Sequence, residues 1–137
     1  MGLYLTIFSG DEEIDGLEVG SYADFDAFRS AVVSEVEGGK AGSRCPTLVL
    51  HPDCDGEWSP EEAAKLQEEI EFISARFKAL PPVSLAGGWK EAVALQLGLK
   101  PTTLYDCFFD VDGEPLLERL RSLAITCQQR NLPILFQ

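Results

Sequence analysis

Two stretches of the chain carry carboxylates at a spacing that could bind a cation. HPDCDGEWSPEE begins at His51, and DVDGEPLLER begins at Asp110. Each contains the pattern Asp-x-Asp-Gly-Glu, and we call residues 53–57 the first DxDGE loop and residues 110–114 the second. Carboxylates around a glycine turn are typical of calcium-binding loops. The same residue types also form tight turns and begin helices, so the pattern alone leaves both roles open.

A standard EF-hand matches the first DxDGE loop poorly. Aligning Gly56 with the obligatory EF-hand glycine places His51 where calcium needs a hard oxygen ligand. The flanking segment differs as well, because an EF-hand loop follows a helix, whereas TLVLHP is apolar and resembles a strand. The second loop deviates further, with Phe108 at the first ligand position and Arg119 at the last.

Turn and cap chemistry accounts for most residues of both loops. Ser59-Pro60-Glu61-Glu62 is a capping box with proline at the first helical position. Around the second loop, Asp112-Gly113-Glu114-Pro115 combines a turn, an acid and a proline just before an apolar helix pattern. Both loops are therefore predicted to start helices, whether or not they also bind a ligand.

The elements around the loops alternate between strands and helices. Apolar residues spaced four, three and four apart predict one long helix, from Pro60 to about Leu80. The predicted strands are LYLTIF (3–8), a short LEVGS segment, PTLVLHP (46–52), YDCFFDV (105–111) and LPILFQ (132–137). The pattern predicts one α+β domain over residues 1–137, with a mixed β-sheet and helices packed against it. A three-layer α/β arrangement is the alternative.

This arrangement predicts a shared site for the two loops. If the strands 46–52 and 105–111 run in the same direction, both loops emerge beyond the carboxyl ends of the sheet, where α/β proteins bind ligands. A cluster of like charges there needs a cation, basic side chains or good solvation. The expected partner-binding residues are Asp53, Asp55, Glu57, Trp58, Asp110, Asp112 and Glu114. In the alternative interpretation, a divalent cation binds Asp53, Asp55, Asp110 and Asp112.

The charge of the chain indicates what it can bind. There are 23 acidic residues and 11 lysines or arginines, giving a net charge of -12. The excess is concentrated in residues 1–39, where Arg29 is the only basic residue. Such a field repels nucleic acid and anionic lipid and speeds association with basic proteins. Solubility alone also explains an acidic surface, so charge favours a basic partner without requiring one.

Catalytic and targeting signals are weak. His51 is the only histidine and precedes Cys54 by three residues, so a Cys–His pair is conceivable, but a turn role is commoner. The four cysteines form no C-x-x-C motif, which favours reduced thiols and a cytoplasmic protein. No apolar run approaches the roughly 20 residues of a membrane helix. We predict no catalytic residues and no cofactor.

Several segments together resemble a known family. MGLYL, EVGSYADF, DCDGEW, DVDGEPLLERL and PILFQ resemble small bacterial immunity proteins from polymorphic toxin systems, the family numbered seventy. The resemblance spans Met1 to Gln137 and implies a cytoplasmic, non-enzymatic α+β protein that neutralises a cognate toxin. It assigns no role to the DxDGE loops. The alternative function is a small metal-binding or hydrolytic domain that uses their carboxylates.

Overall fold

A computed structural model describes residues 2–52, 56–85 and 88–137. Within these ranges the chain forms a four-stranded sheet, five α-helices and a 3-10 helix at Leu104–Cys107. The strands are β1 (Gly2–Ser9), β2 (Glu12–Ser21), β3 (Glu57–Trp58) and β4 (Ile134–Phe136). The helices are α1 (Tyr22–Glu35), α2 (Pro46–Val49), α3 (Pro60–Lys78), α4 (Gly88–Leu97) and α5 (Leu116–Arg130). The predicted α+β class is confirmed.

The strands are ordered β2-β1-β4-β3 across the sheet. Leu5 of β1 lies between Leu17 of β2 and Phe136 of β4, and Ile134 pairs with Trp58 of β3. Every strand pair in the described part of the chain is antiparallel, although a mixed sheet was expected. The three-layer α/β alternative is therefore wrong, because it requires parallel strands joined by crossover helices.

The two faces of the sheet have different surroundings. Leu3, Leu5 and Ile7 alternate along β1 and are fully buried in the core with residues of the helices. The intervening side chains point to the opposite side, because successive strand residues face opposite ways. We call that side the outer face. Glu18 and Glu57 are exposed on it, so the described helices pack on the inner face of a two-layer structure.

The long helix α3 confirms the apolar periodicity and the predicted cap. Its stripe of Leu66, Ile70, Ile73 and Phe77 is fully buried. At its start the Glu62 N–H donates to Ser59 Oγ over 3.2 Å, and the Ser59 N–H donates to the Glu62 carboxylate over 3.0 Å. These reciprocal bonds satisfy two backbone donors that the first turn leaves unpaired.

Two of the predicted strands are wrong. Residues 46–52 begin with the short helix α2, and the carboxylate of Glu69 accepts hydrogen bonds from the backbone N–H groups of Thr47 and Leu48. Residues 105–111 begin inside the 3-10 helix, where Asp106 accepts from the N–H groups of two preceding threonines. In both places a carboxylate accepts backbone N–H groups at the start of a short helical segment.

The strand β2 is longer than the predicted LEVGS segment. Its first half contains the acidic residues Glu12, Glu13 and Asp15. The hairpin turn before it includes Gly10, which takes a positive φ of 63°. Pairing with β1 holds this polar segment extended from Glu12 onward. The two-residue strand β3 lies inside and after the first DxDGE loop, where no strand was predicted.

Candidate binding surface

The described residues of the two DxDGE loops lie at opposite edges of the sheet. Glu57 of the first loop pairs with Leu135 through the edge strand β3. At the second loop, the Val111 N–H donates over 3.3 Å to the carbonyl of Glu18 in β2, the other edge strand. Three strand spacings, about 14 Å, separate these edges. The two parallel strands that would have carried the predicted shared carboxylate rim do not form, and the partner-binding role of the rim residues stays a prediction. Asp53, Cys54 and Asp55 lie outside the described residues.

Trp58 is part of the core. It is fully buried, and its indole Nε1 donates to the Thr47 carbonyl over 3.0 Å. The ring of Phe136 stands edge-on to it at 4.7 Å and is also stacked on the His51 imidazole at 4.2 Å. His51 thus closes the end of the core beside the first loop. This packing explains both residues without a catalytic or partner contact.

The second DxDGE loop is a structured turn built on Asp110. This carboxylate is only 3% exposed, and one oxygen accepts from the N–H groups of Asp112 at 2.9 Å and Glu114 at 3.0 Å. The other oxygen lies 3.6 Å from Arg119 Nε. The predicted turn role of this loop is supported by these contacts. Of its three acids, only Asp112 and Glu114 present exposed side chains.

The described residues contain no ready-made metal centre. No group of three or more His, Cys, Asp or Glu side chains within 2–52, 56–85 and 88–137 is arranged to hold a metal ion. The three cysteines in these ranges are buried free thiols. Burial raises the pKa of Cys45 to about 12 and that of Cys127 to about 11. Such thiols are poor nucleophiles at neutral pH.

A cleft of about 480 Å³ lies between α1 and the segment leading into α4. Lys90 lines it, with Nζ 4.8 Å from the Phe108 ring centroid and 3.5 Å from the Cys107 carbonyl oxygen. Burial lowers the pKa of Lys90, although Asp24 partly opposes the shift. Asp24 itself caps α1 and accepts from Trp89 Nε1 over 2.8 Å. The bond between Asp24 and Trp89 thus holds α4 against α1, and Lys90 contacts the segment around Cys107.

The acidic hairpin contains a carboxylate held in one position. Glu13 on β2 accepts from the Tyr4 hydroxyl over 2.6 Å and from the Thr6 hydroxyl over 2.7 Å, both on β1. The Tyr4 bond, followed by the Thr6 bond, lowers the pKa of Glu13. Sequence reasoning missed this group. The only signal was the excess of acids before residue 40, and the strand register was needed to bring Glu13 to its two donors.

The hydrogen bond to Glu13 predicts an unusual titration of Tyr4. By accepting the hydrogen bond of the phenol, Glu13 raises the pKa of Tyr4 from 10.0 to about 12, with burial and nearby acids adding to the shift. The folded state therefore favours the protonated phenol, and this stabilisation is present below pH 10 and is lost as the pH rises to about 12. Subtracting the alkaline absorbance titration of Tyr4→Phe from that of the wild type should leave a component centred near 12.

The matched variant for this titration is Glu13→Gln, which removes the anionic acceptor. We expect the Tyr4 component to move toward its ordinary value of 10.0. A Tyr4 component near 10 in the wild type itself would show that the hydrogen bond does not control the phenol.

The fold and surface define an acidic α+β protein with two layers and an open sheet face. The chain belongs to the family described as Immunity protein 70, whose model matches residues 3–136. No curated protein and no solved structure matches the chain. In the described part of the chain, no helix is long and apolar enough to cross a membrane.

Proposed function

We propose that this protein neutralises a cognate toxin by binding it directly, without catalysing a reaction. The observation that carries the proposal is the family match over residues 3–136. Proteins of such a family confer immunity against a toxin, and stoichiometric binding is the simplest physical means of doing so. The burial of the three described thiols and the packing of His51 on Phe136 support binding in preference to nucleophilic catalysis.

The proposed toxin is a basic protein. A net charge of -12 makes encounter with a basic surface fast and encounter with another acidic protein slow. Some acids are nearly fully buried and have structural roles, namely Glu37, Glu69 and Asp110. Others remain exposed and available to a partner, notably along the β1–β2 hairpin. The proposed site of action is the cytoplasm, where thiols stay reduced.

A co-expression experiment tests the proposed function. The candidate toxin is the product of the reading frame that neighbours this gene in its genome. Expressed alone in a host, it should arrest growth, and co-expression of this protein should restore growth. The purified proteins should elute as one complex from a gel-filtration column. An unrelated acidic protein of similar size and charge should give neither result. Growth arrest that persists, with no complex formed, would refute the proposal.

A further inference from the structure

We propose that the outer face of the sheet is the surface on which the basic toxin docks. This inference rests on the proposed function and assigns it a location. The strand register determines which side chains share the face. Thr6 lies opposite Gly16 on one side and Leu135 on the other, and Leu135 lies opposite Glu57. The face continues to both ends of β1 through the residues Tyr4, Phe8, Glu13 and Glu18.

The outer face has the composition of a docking site. Its middle is formed by Tyr4, Phe8 and Leu135, which are partly exposed. Carboxylates flank this apolar centre on both edges, with Glu18 on β2 and Glu57 on β3, and both are exposed. Protein interfaces commonly combine an apolar, aromatic centre with a polar rim. Both of these rim residues carry a negative charge.

The charges of the sheet indicate which kind of partner can bind to the outer face. None of the four strands contains a lysine or an arginine. A second copy of this chain would bring an identical acidic face against the first, and like charges at close range repel. Nucleic acid and anionic membranes are disfavoured for the same reason. A protein surface with an apolar patch surrounded by lysine and arginine complements the outer face in both respects.

The outer face is also held in a fixed conformation. Glu13 is fixed by the hydroxyls of Tyr4 and Thr6, so its carboxylate needs little ordering when an arginine or lysine approaches. Gly16 allows this arrangement, because a β-carbon there would collide with the Tyr4 hydroxyl. Groups that are already ordered lose less conformational entropy on binding, which increases affinity.

A pair of charge-reversal variants tests the docking surface. The test variant is Glu18→Lys with Glu57→Lys, on the outer face. The control is Glu35→Lys with Glu68→Lys, on the exposed sides of α1 and α3. Each pair changes the net charge from -12 to -8, since every reversal adds two units. The two proteins therefore have the same long-range charge and differ in where the change lies.

Binding to the toxin identified by growth rescue is measured by biolayer interferometry at low and high salt. We expect the outer-face variant to bind at least about tenfold more weakly, and the control to stay within about threefold of the wild type. The deficit of the outer-face variant should shrink as salt screens the reversed charges. Melting curves of both variants establish that each is folded.

A third variant, Leu135→Asp, tests the apolar centre. It should accelerate dissociation from the toxin by at least about tenfold, and high salt should not restore the wild-type rate. The outcomes separate the two proposals. If the wild type binds and the control weakens binding as much as the outer-face variants, the docking surface is wrong while the immunity function stands. If the wild type does not bind, the proposed function fails and the docking surface fails with it.

Discussion

Deletion of residues 133–137 is expected to abolish the folded state. The deletion removes β4, which lies between β1 and β3 in the interior of the sheet. Ile134 is fully buried and Phe136 is 7% exposed. Burial of a large apolar side chain contributes about 1.5–3 kcal/mol. Loss of both side chains therefore approaches the 5–15 kcal/mol of an ordinary domain, before any hydrogen bond is counted.

The deletion also removes backbone pairing on both sides of β4. The Gln137 N–H donates to the Tyr4 carbonyl over 2.9 Å, and the Phe136 N–H donates to the Gly56 carbonyl over 3.1 Å. Without β4, β3 has no strand neighbour among the described residues, and Trp58 loses its contact with the Phe136 ring. Far-UV circular dichroism and thermal melting measure the result, which should be a weak spectrum with no cooperative transition.

Point substitutions provide a graded version of this test. Ile134→Ala should cost about 2–5 kcal/mol, because the side chain is fully buried. Leu135→Ala, one position further along, should cost far less, because its side chain faces the outer surface and is only partly buried. A truncated protein that melts within a few degrees of the full chain, or equal costs for the two point variants, would contradict the central position of β4.

The elements that were correctly predicted are those with local signals. The helix α3 carries a capping box at its start and an apolar stripe with helical spacing, and both act within a few residues. The strand at 134–136 is short but apolar, and it begins with the β-branched Ile134. The segments 46–52 and 105–111 had the same short apolar character and form helical turns. Short apolar runs do not distinguish strand from helix by periodicity, so contacts from elsewhere in the chain decide.

The topology behind the predicted site could not be read from the sequence. The shared rim was inferred from two parallel strands, and neither of those segments is a strand. The acidic composition itself was informative, but it does not distinguish a structural carboxylate from an available one. Asp110 and Glu57 occur in nearly identical motifs, yet the first is buried on Arg119 and the second is exposed on the outer face. Whether such a carboxylate is buried or exposed depends on the folded positions of residues that are distant in the sequence.

Glu37 is the acid whose structural role is least visible in the sequence, and it supports the second large prediction. It follows the end of α1 and is 6% exposed. Its carboxylate accepts three backbone N–H groups of the next loop, from Gly42 at 3.1 Å, Arg44 at 2.9 Å and Cys45 at 2.8 Å. These bonds organise the connection that leads into α2.

Replacing this carboxylate should destabilise the protein in proportion to the acceptors lost. Glu37→Ala removes all three, and each poorly solvated donor left without a partner costs about 1–3 kcal/mol, so we expect a loss of about 3 kcal/mol or more. Glu37→Gln keeps one oxygen, turns its amide donors toward at least one backbone N–H, and should lose an intermediate amount. Glu35→Ala is the matched control, because Glu35 is exposed at the end of α1, two residues before Glu37, and its replacement should change stability by less than about 0.5 kcal/mol.

Urea unfolding followed by tryptophan fluorescence measures the free energies of unfolding of the three variants. Equal stabilities for Glu37→Ala and Glu35→Ala would mean that water replaces the carboxylate at no cost, and that this loop is held by its other contacts.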